Sequence, residues 1–128
     1  MIIGLDRTFN VGEYYLTAMT YKNMRVVGKI SKDNPICLGP VMLHRQSNFR
    51  EYSQLMSCFK TAINTGLTVN TMKKWESTIT FGTDGEKALI KAIDSIFPNS
   101  KSRRCFLHLR KNIDQKILVI ENLISISI

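Results

Sequence analysis

Residues 79–96, ITFGTDGEKALIKAIDSI, set the tightest limit on what this chain can fold into: an apolar run stops at an acid, and an amphipathic helical pattern starts at once. A strand that delivers straight into a helix is the repeating unit of α/β layer folds. Ala88, Leu89, Ala92, Ile93, Ile96 and Phe97 recur at helical spacing, Thr83 and Glu86 fit the Thr-x-x-Glu capping box, and Pro98 stops the pattern. The acid at the junction, Asp84, has a local explanation, because a carboxylate in a helix's first turn is favoured by the macrodipole and Gly85 eases a tight entry. Asp6 closes a second apolar run, in strand-forming sequence that disfavours Asp unless it caps the strand or binds something. If the two strands lie side by side and parallel, both carboxylates project at one sheet edge and can share hard divalent ions.

The rest of the chain supplies the other layers. Residues 2–8 and 13–21 are rich in β-branched and aromatic residues, and the turn-forming stretch 10–12 between them predicts a hairpin. Residues 25–30 or 36–43 add a third strand, with SKDNP from Ser31 as the break. Phe49, Tyr52, Leu55, Met56, Phe59 and Ile63 form a helical stripe that ends near Gly66, and such a stripe is core. Residues 78–82 read as a strand, residues 103–107 as another, and a basic helical pattern follows from His108. The order β, β, β, α, β, α, β, α predicts an α/β fold with a mixed sheet and helices on its faces.

Composition narrows the partners. With 128 residues, 44% apolar and 22% charged, the chain has enough apolar material for one domain with a core. The net charge of +8 is uneven: residues 99–116 hold six cations, Lys101, Arg103, Arg104, Arg110, Lys111 and Lys116, against the single acid Asp114. A cationic face of this kind suits polyanions, above all nucleic-acid phosphates, although a solvated helix face has the same composition. Three cysteines, Cys37, Cys58 and Cys105, at unrelated spacings do not suggest a disulfide framework, and without a basic-then-apolar leader the chain reads as intracellular and reducing. No apolar stretch is long enough to cross a bilayer; the longest, residues 117–128, is broken by Glu121, Asn122, Ser125 and Ser127. Cys105-x-x-His108 is a lone pair: tetrahedral zinc needs two more ligands, and Cys37, His44 and Cys58 are scattered. A Cys/His nucleophilic dyad is no better supported by that spacing, and a buried thiol beside a hydrogen-bonded His accounts for it equally.

These residues also carry a family resemblance. LDRTFNVGEYYLTAMTYKN, GPVMLHRQSNFREYSQL, ITFGTDGEKALIKAIDSIFPN and RRCFLHLRKNI resemble, in order, successive blocks of the transposase domain of Mutator-like elements, the MULE family. The likeness covers residues 1–116 as a partial catalytic core and leaves residues 117–128 as an apolar tail without a family match. It implies a ribonuclease H-like fold and a DDE transposase that hydrolyses and joins DNA phosphodiesters in the nucleus, as a homo-oligomer in its full-length form. It also implies that Asp6 and Asp84 are the first two catalytic acids, on neighbouring strands, and hold Mg²⁺ or Mn²⁺. Arg103, Arg104, Arg110 and Lys111 then become candidate DNA contacts, and Cys105 and His108 a family signature of structural or DNA-positioning role.

The third acid departs from the pattern. In the family it is a Glu well downstream of the Cys-x-x-His signature, and the neighbours of Glu121 here, ILVIENLISISI, do not resemble that block. The sequence therefore reads as a truncated core, inactive as an isolated chain. The alternative is a non-enzymatic nucleic-acid-binding or regulatory module of transposase descent, in which the cations matter and the acids are inert.

Overall fold

The computed structural model describes residues 1–104, with the backbone alone for Thr8, Phe9 and Asn10. Its elements are β1 (Ile2–Val11), β2 (Tyr14–Lys22), β3 (Ile36–His44), α1 (Phe49–Asn64), α2 (Val69–Glu76), β4 (Thr80–Thr83), α3 (Lys87–Ile96) and β5 (Lys101–Arg104). The five strands form one mixed sheet in the order β3-β2-β1-β4-β5. β1, β2 and β3 pair antiparallel, whereas β4 joins β1 and β5 joins β4 in parallel. The chain is thus α/β with three helices among the described residues, as the alternation of periodicities required.

The opening hairpin forms where it was expected, turning at Gly12, whose φ of 66° lies in the left-handed region. Of the two candidates for the third strand, 36–44 is the one that pairs. Residues 25–30 form a loop instead, closed by Gly28 N–H to Asp33 O at 2.8 Å and by Asn23 N–H to Pro35 O at 3.0 Å. β3 lies at the sheet edge, where Pro40 removes a donor at little cost.

Alternation along the strands sorts side chains by face. Ile3, Leu5, Met19 and Phe81 are buried beneath Tyr52, Leu55 and Met56 of α1 and Leu89, Ala92 and Ile93 of α3. Burying aromatic and aliphatic side chains this completely contributes roughly 1.5–3 kcal/mol each. Within the described residues both helices cover this one face. On the other, Ile2, Ile36, Leu38, Val41 and Leu43 stay 47–75% exposed.

Caps fix the helix ends. α1 starts at Asn48, whose Oδ1 accepts Glu51 N–H at 3.0 Å, and α2 starts at Thr68, whose hydroxyl accepts Thr71 N–H at 3.3 Å. α2 itself was not foreseen in the sequence. It is short, and its buried positions are Met72 and the charged Glu76, so no apolar stripe announces it. β5 (Lys101–Arg104) starts two residues earlier than the 103–107 expected; residues 105–107 and the helix expected after His108 lie outside the described residues.

Candidate active site

The parallel register of β1 and β4 brings the two sequence-predicted acids together. Gly4 pairs with Gly82, and Asp6 and Asp84 each lie two residues further along their chains in the same direction. Adjacent strands run about 4.8 Å apart, so this register directs Asp6 on β1 and Asp84 just past β4 toward the same end of the sheet. Two-residue periodicity also puts Asp6 on the face of Gly4, where no α1 or α3 side chain covers it. A Cβ at Gly82 would meet nothing nearer than Ile3 O at 3.9 Å, so the backbone below Asp84 is bare, whereas Gly4, below Asp6, lies under the Thr20 hydroxyl, 2.8 Å from where a Cβ would stand.

Asp6 is exposed and Asp84 half-buried. Among the described residues neither enters a salt bridge. Asp84 is not a first-turn acid, which corrects the local explanation: α3 begins at Lys87, and Asp84 precedes its N-cap, Glu86, by two residues. Its Oδ1 accepts Glu86 N–H at 3.0 Å, which fixes the carboxylate in a turn beyond the strand. Gly85 makes that turn with φ of 94°, and a Cβ there would stand 3.0 Å from Arg104 Nε. The left-handed backbone therefore favours a glycine here, with the exposed Arg104 side chain folded over it.

The capping box expected from Thr83 and Glu86 does not form. Thr83 Oγ1 accepts Gly85 N–H at 3.2 Å, and Glu86 occupies the N-cap without a side-chain cap bond. Its carboxylate goes elsewhere. Oε2 accepts the Tyr52 hydroxyl at 2.8 Å, and Oε1 lies 3.5 Å from Arg7 Nη1. Arg7 Nη1 also donates to Ser47 Oγ at 2.6 Å, and its guanidinium lies over the Tyr15 ring at 5.0 Å. Burial pushes the Tyr52 phenol up to about 12; Ser47 opposes the rise, and the Glu86 carboxylate adds to it. Tyr52 is thus a fixed donor at neutral pH. This group was missed in the sequence, where Glu86 reads as a capping residue and Tyr52 as core.

The remaining candidates divide. Arg103 sits opposite Gly82 and Arg104 opposite Thr83 on β5, both exposed, so two cations flank the strand that leads to Asp84. Arg110, Lys111, Cys105 and His108 lie outside the described residues. Of the scattered zinc candidates, His44 is buried: Nδ1 donates to Gln46 O at 2.7 Å and Nε2 shares a hydrogen with Thr17 Oγ1 at 2.8 Å, which accounts for both nitrogens. Cys37 and Cys58 are free thiols.

Carboxylate oxygens are the donors that hard divalent cations take, and Asp6 and Asp84 are the residues placed to offer them. Two carboxylates fill only part of a coordination sphere, and among the described residues no group of three His, Cys, Asp or Glu side chains converges to complete one. No helix of the described residues is long and apolar enough to cross a membrane.

No curated protein matches the chain significantly in sequence. The family model of the MULE transposase domain matches residues 2–112, and with that match over most of its length the chain belongs to the MULE transposase domain family.

Proposed function

We infer that the chain is the partial catalytic core of a DDE transposase of ribonuclease H-like fold, with Asp6 and Asp84 as its first two metal-holding acids. The observation that carries this reading is the parallel register of β1 and β4, past whose last pair, Gly4–Gly82, Asp6 and Asp84 each follow by two residues, Asp84 just beyond β4. The sheet order, with β1 central between its antiparallel partner and β4, supports it. Bound there, Mg²⁺ or Mn²⁺ would activate an attacking hydroxyl and stabilise the leaving oxygen at a DNA phosphodiester. The chain's own part is to orient the two carboxylates, to leave the backbone at Gly82 open, and to set Arg103 and Arg104 beside it for phosphate oxygens. Among the described residues no third acid joins these two in a metal-holding group, and we take the isolated chain to hold the ion weakly and to be inactive in DNA cleavage.

Titrating the chain with Mn²⁺ tests this reading. Asp6→Asn and Asp84→Asn should each weaken binding by on the order of tenfold or more, since each removes one of two charged ligands. Equal binding by wild type and both variants would refute the assignment, and robust DNA cleavage by the wild type would refute the inactivity.

One observation favours the non-enzymatic alternative: every residue of β5, including Lys101, Arg103 and Arg104, is exposed. Both readings make DNA the partner and the nucleus the compartment. They differ in what DNA binding needs. Under the alternative, affinity falls steeply with salt and is indifferent to Mn²⁺, and neutralising Arg103 and Arg104 together lowers the log–log salt slope by about 2. DNA affinity that rises with Mn²⁺ in wild type but not in Asp6→Asn would exclude it.

A further inference from the structure

Glu86 breaks a local rule in a place where that has a consequence. At the N-cap of α3 it could serve as a cap or favour the helix dipole, yet its carboxylate makes no cap bond. Forgoing a good side-chain cap costs about 1 kcal/mol. What the carboxylate reaches instead is Tyr52 on α1 and Arg7 on β1. Arg7 is the residue after Asp6, and the Glu86 amide is the donor to Asp84 Oδ1. The contacts therefore form one path across the sheet, from Asp6 through its neighbour Arg7 to Glu86 and on to Asp84.

We propose that Glu86 is a positioning residue for the acid pair: held from one side by Arg7 and from the other by Tyr52, it fixes the amide that aims the Asp84 carboxylate and ties that loop to the Asp6 segment. This rests on the reading of Asp6 and Asp84 as metal-holding acids. The geometry is that of a support behind a ligand, since Asp84 lies outside β4 and the last backbone register pair between β1 and β4 is Gly4–Gly82. Gly85, at φ of 94°, adds a flexible residue type between the acid and its support. Without Glu86's side-chain anchors, the Asp84 turn is free to sample other orientations while the core beneath it stays packed. Ser47 completes the hold: its hydroxyl accepts from Arg7 Nη1, so the guanidinium is fixed by α1's leading segment as well as by Glu86. Partners behind metal-holding residues typically change affinity by about 10- to 100-fold when removed.

The test is Mn²⁺ affinity of the full chain at a temperature where far-UV and near-UV dichroism show each variant fully folded. Glu86→Ala should lose on the order of tenfold in affinity. Glu86→Gln keeps one oxygen to accept from Arg7 and can donate its amide N–H to the Tyr52 oxygen, and should recover to within about threefold of wild type. Tyr52→Phe, which removes one anchor without touching the charged pair, should fall between them. A purely structural Glu86 predicts lower thermal midpoints with wild-type affinity in every folded variant, and that result would overturn the proposal. Should Glu86→Ala not fold, Tyr52→Phe decides alone: reduced affinity supports positioning, unchanged affinity refutes it. Mn²⁺ binding by the wild type that Asp6→Asn and Asp84→Asn do not affect would instead overturn the underlying assignment of the acids, and with it this role.

Discussion

Two glutamates, ten residues apart, show how similar chemistry serves different ends. Glu76 closes α2, 3% exposed, at the helix end where the dipole disfavours an acid. Its Oε1 accepts Asn99 N–H at 3.0 Å and its Oε2 lies 3.4 Å from Lys60 Nζ, which also donates to Ile96 O at 2.5 Å. Those contacts lock α1, α2 and the turn between α3 and β5. Glu86 opens α3, where an acid is favoured, and forgoes the cap to bind Tyr52 and Arg7. Both depart from the local helix rule, and both are explained by partners distant in sequence. The difference is where the partners lead: those of Glu76 end in packing, and those of Glu86 end at Asp6 and Asp84.

The largest effect that separates them is on stability. Glu76→Ala removes the acceptor from the part-buried Asn99 N–H and leaves Lys60 beside Phe97 without its counter-ion. Breaking a fully buried pair costs about 3–5 kcal/mol; Lys60 is 29% exposed, so about 2–3 kcal/mol is expected. Urea unfolding should show this as a lower midpoint at unchanged slope, with Mn²⁺ affinity unmoved. Glu86→Ala should show the reverse balance, a smaller stability loss and a larger loss of affinity. A Glu76 variant that sheds metal, or a Glu86 variant that sheds only stability, would collapse the distinction.

How much of this was legible in the sequence follows from the range of the interactions. The hairpin, the core stripe of α1 and the strand-to-helix passage at Asp84 are local patterns of period 2 or 3.6, and each appears in the fold, except that Phe49 at the head of the stripe is 38% exposed and not core. The two acids were legible as candidates because Asp is conspicuous at the end of an apolar run, but their placement toward the same end of the sheet depends on the Gly4–Gly82 register, which no local pattern encodes. The capping box failed for the same reason: Thr83-x-x-Glu86 has the right spacing, and a tertiary partner, Tyr52, outcompeted the helix for the carboxylate. α2 escaped because its buried face includes Glu76, whose charge hides the stripe that Met72 begins. The only hint of the Arg7–Glu86–Tyr52 group was an arginine set within strand-forming sequence directly after the acid, a weak signal by itself.

Tyr52 gives the finer separation, through pH. Its phenol, completely buried and hydrogen-bonded to Glu86, is raised from 10.0 to about 12 in the folded chain. The folded state therefore holds that proton more tightly than the unfolded state does. The resulting stabilisation is fully present below pH 10 and is lost as pH rises from 10 through about 12. Tyr52→Phe should be less stable than wild type at pH 8 by about 1–2 kcal/mol, the contribution of a hydrogen bond to a charged acceptor. Other tyrosines and lysines titrate in both proteins, so their contributions cancel in the difference. The gap should narrow above pH 10 and close near 12, as the wild-type phenol becomes an anion facing Glu86. A gap constant from pH 8 to beyond 12 would mean that the hydroxyl contributes packing alone. Glu76 accepts from a backbone N–H and lies beside Lys60, with no phenol among its partners, so a Tyr52→Phe gap that narrows with pH belongs to the Glu86 side of the comparison.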